Sequence, residues 1–65
     1  MTKYEERQEI TETIDRMIET LGAIRNRVMN YEYTRENVSD AQVVVFSAHE
    51  LKHLVYEAMV ESKKK

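Results

Sequence analysis

Along the first half of the chain, apolar side chains and one tyrosine fall at Ile10, Ile14, Met17, Leu21, Ile24, Val28 and Tyr31. The intervals alternate between four and three without a break. That is the a/d pattern of helices packed side by side at a shallow angle. Ile14, Leu21 and Val28 form one row; Ile10, Met17, Ile24 and Tyr31 form the other. Ile18 widens the stripe on one flank, as a helix with more than one neighbour requires. Thr2 stands three residues before Glu5, a capping box. Only Gly22 then interrupts good helix formers, at a cost of about 1 kcal/mol against alanine. Acidic groups gather early (Glu5, Glu6, Glu9, Glu12, Asp15) and Arg25 and Arg27 come late, matching the helix dipole. The pattern predicts a helix over 3–30.

The periodicity fails from Asn30 to Val38, where Asn30 or Asn37 is suited to a left-handed turn. Ser39 followed by Gln42 reads as a second capping box, with Val38 and Val43 as its hydrophobic staple and Asp40 in the first turn. The β-branched run within Gln42–Phe46 has strand character in isolation. The cap and the long helical pattern after it favour a helix over 40–61, followed by a lysine-rich tail at 62–65. This second helix presents two faces. Val44, Ala48, Leu51, Val55 and Ala58, flanked by Leu54 and Met59, make one; Val45, Phe46, His49, His53, Tyr56 and Val60 make the other.

These patterns predict an all-α fold, a single-domain antiparallel helical hairpin that dimerises into a four-helix bundle. The expected intramolecular core is Ile10, Ile14, Met17, Leu21, Ile24 and Val28 against Val44, Leu51, Leu54, Val55 and Ala58. The expected partner or oligomer interface is Val45, Phe46, His49, His53, Tyr56 and Val60.

Composition narrows the chemistry. The chain has 65 residues, no cysteine, no proline and one glycine. Disulfides, thiolate metal cages and glycine-rich phosphate loops are therefore excluded. A core this small rarely supplies more than a few kcal/mol, so oligomerisation is the expected remedy. Ten basic and twelve acidic residues leave a net charge of −2, and the only basic run is Lys63-Lys64-Lys65. That run reads as a solvated helix end; no field suited to nucleic acid exists. The longest apolar run, Val43–Phe46, is too short for a membrane span, and the acidic start resembles no leader peptide. A cytoplasmic location is expected.

One motif carries possible chemistry. His49-Glu50-Leu51-Lys52-His53 is similar to the H-E-x-x-H helix of zinc metalloproteases. The resemblance implies His49 and His53 as zinc ligands and Glu50 as general base. A catalytic zinc needs a third protein ligand, and Glu57 lies about 12 Å along a straight helix from His49. Lys52 also puts a cation beside the metal position. Ser47 and Ser62 have no histidine–acid partners at helical spacing.

Val38-Ser39-Asp40, Val43, Phe46-Ser47 and Leu51-x-x-Leu54 resemble the second helix of the small sporulation aspartyl-phosphate phosphatases, two-helix proteins of similar length. Their serine-x-x-leucine-aspartate signature is broken here. Ser47 has an extra residue before Leu51, and Lys52 stands where aspartate belongs, so the activity does not carry over. Ser39-Asp40 and Val45-Phe46 are also similar to the Hha-type nucleoid modulators. The reading of the residues themselves is a small non-enzymatic regulatory or adaptor protein with no cofactor. It would act through helix–helix contact with its own copy and a protein partner. A zinc-binding module at His49 and His53 is the alternative, and a phosphatase-like two-helix regulator the second alternative.

Overall fold

The computed structural model describes residues 3–63, Lys3 by its backbone only. Two helices account for nearly all of them: α1 (Lys3–Met29) and α2 (Arg35–Lys63). The helices run antiparallel. Glu6 meets Glu61, Thr13 and Arg16 meet Glu50, and Arg27 meets Asp40. The first helix ends at Met29, one residue short of the expected 30; its Thr2 cap lies outside the described residues, as do Lys64 and Lys65 of the tail.

The turn departs from expectation. Tyr31, not an asparagine, takes the left-handed conformation, with φ at 57°. The Glu32 N–H donates to the Arg27 carbonyl at 2.8 Å and the Tyr31 N–H to the Val28 carbonyl at 3.0 Å. These two bonds are a Schellman ending, which places its left-handed residue one beyond the cap, and that position is Tyr31. Asn30 instead serves as the cap, donating from its side chain to the Asn26 carbonyl at 3.0 Å.

The second helix starts five residues earlier than the capping box at Ser39 predicts, at Arg35 rather than at 40, and it runs on to Lys63 rather than 61. Ser39 lies inside the helix and Val38 is exposed, so neither the cap nor the staple forms. Thr34 is an equally good cap residue in type. What decides between them is Arg27. Its guanidinium donates to Asp40 Oδ2 at 2.7 Å and Asn37 Oδ1 at 3.0 Å, and it lies 3.2 Å from Glu36 Oε2. Residues 36, 37 and 40 share one face only if that stretch is helical. Asn37 closes the turn by donating from Nδ2 to the Glu32 carbonyl at 2.8 Å.

The seam between the helices is more polar than the heptad rows imply. On α1 it alternates Ile10, Met17 and Ile24 with Glu6, Thr13, Thr20 and Arg27. On α2 it follows Asn37, Asp40, Val44, Ser47, Leu51, Leu54 and Ala58. Thr13 is 1% exposed; its hydroxyl donates to the Glu9 carbonyl at 2.9 Å and lies 3.4 Å from Glu50 Oε1. Leu54 is the one buried apolar side chain among the described residues. Of the expected core, Ile10, Met17, Ile24, Val44, Leu51 and Ala58 are half-buried. Ile14, Leu21, Val28 and Val55 are a correction, because the hairpin leaves all four more than a third exposed. The cause is rotation of α1. Turning Arg16 and Arg27 toward the carboxylates of α2 carries the Ile14–Leu21–Val28 row off the seam.

Two outcomes follow from this geometry. A β-carbon at Gly22 would meet nothing within 4 Å. Gly22→Ala should therefore add about 1 kcal/mol of helix stability and raise the melting temperature by about 4–8 °C, read by circular dichroism. Arg27→Gln should lower the melting temperature. It should also speed amide exchange selectively at 36–40, because the first turn of α2 loses its anchor; Arg27→Lys should restore only part, lacking the fork.

Candidate functional site

The histidine motif lies on the side of α2 that faces away from α1. His49 and His53, one turn apart, border an open hollow of about 260 Å³ with Lys52 and Tyr56. Glu50 is not available to them. It points to the seam, where its Oε1 lies 3.3 Å from Arg16 Nη2. The position that zinc-protease helices use for the general base is thus turned toward α1 and engaged in an ion pair. Among the described residues no group of three or more histidine, cysteine, aspartate or glutamate side chains converges to hold a metal ion. Within one chain the described residues thus bring no third ligand to His49 and His53.

The expected interface residues divide. Val45, Phe46, His49, His53 and Tyr56 are exposed, Phe46 at 65%, whereas Val60 is half-buried. Sequence reasoning missed the larger apolar surface, which both helices share. A helix advances about 100° per residue. On α1 the exposed row Ile14, Leu21 and Val28, with Ile18 beyond it, lies on one flank of the seam; Arg16 and Arg27 lie on the other. On α2, Ala41, Ala48, Val55 and Met59, with Val45 and Lys52 beyond them, lie on one flank; Glu36, Glu50 and Glu57 lie on the other. Because the helices are antiparallel, equivalent flanks fall on the same side of the hairpin. The molecule therefore has two unlike broad faces. One carries the ion pairs Arg16–Glu50, Arg27–Glu36 and Arg27–Asp40. The other is apolar, with Ile18 62% and Leu21 49% exposed, and no carboxylate of either helix projects from it. The signal that could have found it is Ile18 itself, an apolar residue off the a/d rows.

The area agrees. The accessible surface is 5569 Å², against about 4400 Å² expected for a folded monomer of this mass. The radius of gyration, 15.0 Å, likewise exceeds the value of about 11 Å expected for a compact chain of this length. A two-helix rod has no interior, so its apolar rows stay half wet. No helix among the described residues is long and apolar enough to cross a membrane.

At the open end of the rod, Tyr4, Glu6, Arg7, Ala58, Glu61 and Ser62 line a hollow of about 550 Å³. Partial burial raises the pKa of Glu6 above its ordinary value, helped by the hydrogen bond it shares with Glu61 and by the charges of Glu61 and Glu57. This is a carboxylate pair at the open end of the rod, beside Arg7. Comparison of the chain with family models, curated proteins and solved structures returns no match.

The sign of the Glu6 effect is fixed by linkage. A carboxyl whose folded pKa is raised contributes stability that is fully present below its unfolded value near 4.5 and is lost as pH rises through the folded value. Glu6→Gln should therefore raise the melting temperature at neutral pH and flatten its dependence on pH just above that value. A melting series across mild acid, wild type against variant, checks this.

Proposed function

We propose that the chain is a small non-enzymatic regulatory or adaptor protein. It acts through helix–helix contacts, as a homo-oligomer whose simplest form is a two-fold dimer closing a four-helix bundle. The observation that carries the reading is the surplus of half-exposed apolar surface in regular helical rows, beside a seam that buries one apolar side chain among the described residues. Burial is the dominant favourable term in folding, at about 25 cal/mol per Å² of apolar area. A rod that leaves Ile14, Leu21, Val28 and Val55 partly in contact with water gains the remainder of that term on association. What speaks against chemistry is the site geometry, in which Glu50 pairs with Arg16 and, among the described residues, no third ligand converges on the histidines.

The a/d spacing fits this form. Rows that repeat every seven residues at a shallow crossing angle are those of four-helix bundles. The aromatic and histidine stripe on the rear of α2, Phe46, His49, His53 and Tyr56, offers a separate surface for a protein partner. Aromatic side chains are the usual anchors of such contacts.

Light scattering at micromolar concentration should return twice the chain mass of 7.8 kDa, and the melting temperature should climb with protein concentration. A mass of one chain with a concentration-independent melt sinks the proposal.

A further inference from the structure

The two faces of α2 that remain apolar, the broad one shared with α1 and the rear stripe, differ in what they fit. We infer that the broad face is the one that closes on a second copy, with the two-fold axis parallel to the helices, so that α1 of each chain lies over α2 of the other. This inference rests on the homo-oligomer reading above and adds which surface is used and in which direction.

Three observations carry it. The first is size. The rod is 51 Å long, and a face that runs its length over two helices has room for the roughly 800 Å² that each partner contributes to a standard interface. The face is two helices wide, and a single foreign helix would fill only the groove between them, leaving Ile18 and Val45 wet.

The second is relief. The α1 half of the face is a ridge of Ile14, Ile18 and Leu21. The α2 half is low, with Ala41 and Ala48 between larger side chains. A two-fold axis along the rod sets each ridge on the other chain's trough, which is the self-complementarity an isologous contact requires. The register within the hairpin fixes the layers, because rotation about that axis preserves height. Arg16 is level with Glu50 and Arg27 with Asp40. Ile18 therefore meets Ala48 of the copy, Leu21 meets the copy's Val45, and the stem of Arg25 crosses the copy's Ala41.

The third is charge. Burying this face desolvates no carboxylate. Its cations, Arg7, Arg25 and Lys52, have long stems that lie along apolar surface and carry their heads to water. The same layering keeps Arg25 and Lys52 at different heights, so like charges are not opposed. The rear stripe belongs to α2 alone and offers a copy only one helix to pack on.

The native chain has no cysteine, which allows a direct test. Chains carrying Ile18→Cys and chains carrying Ala48→Cys are mixed, allowed to exchange, and oxidised gently. A covalent dimer should form in the mixture and in neither variant alone. Self-cross-linking of Ile18→Cys, or no cross-link in the mixture, overturns the arrangement. In parallel, Leu21→Glu and Val55→Glu should weaken the dimer at least about a hundredfold in sedimentation equilibrium, while Phe46→Glu shifts it by less than about threefold. Dissociation by Phe46→Glu with the face variants still dimeric assigns the contact to the rear stripe; it overturns this inference and leaves the oligomer reading standing. A monomeric wild type overturns both.

Discussion

The placement of Arg27 governs this molecule. One guanidinium, at the last turn of α1, engages Glu36, Asn37 and Asp40 across the turn. Its side chain is 21% exposed, so these contacts are less screened than an ordinary surface ion pair. The hydrogen bond to Asp40 holds the Arg27 proton more tightly than usual, against the opposing effect of burial. The contact fixes where α2 begins. It also sets the rotation of α1 about its own axis, with Arg16 and Glu50 repeating the constraint three turns away.

That rotation explains why a chain with a regular apolar stripe folds into a hairpin with so little apolar interior. The arginines draw the row of Glu6, Thr13, Thr20 and Arg27 into the seam and leave the Ile14–Leu21–Val28 row on its edge. Polar seam residues are satisfied locally. Thr13 donates to the Glu9 carbonyl and Thr20 to the Arg16 carbonyl. No buried side-chain nitrogen or oxygen among the described residues lacks a partner. The hairpin seam thus serves direction and register, while the main apolar capacity of the sequence is turned outward onto one face.

Helix existence was legible in the sequence, because the unbroken alternation from Ile10 to Val28 leaves little else for that stretch to form; Tyr31, the seventh position, falls in the turn instead. The start of α2 was not. Thr34 and Ser39 are both sound caps, and the residue that chooses between them lies on the other helix. The left-handed Tyr31 was invisible for a similar reason. Its position follows from counting back along the helix ending, and a tyrosine side chain carries no preference for it. Heptad spacing reports the mean direction of burial, and that direction need not be the neighbour in the same chain. Hence Ile14, Leu21, Val28 and Val55 were recognisable as apolar-face residues, but not as residues lying beside the seam. The histidine motif was readable as a spacing. The aim of Glu50 was not, since it depends on an arginine 34 positions away.

The hydrogen bonds that cross from one helix to the other also fix an order of assembly. Arg27 and Asp40 are 13 positions apart, so the loop they close is short and its entropy cost small. Each pair farther from the turn encloses a longer stretch of chain, at a cost that grows only logarithmically once the turn is held. A hairpin built this way zips from its closed end, and the geometry of local contacts favours fast folding. By this loop-closure argument the contacts nearest the turn close first, and the end where Glu6 and Glu61 meet closes last. Distance along the rod therefore also measures the length of chain that each contact must enclose.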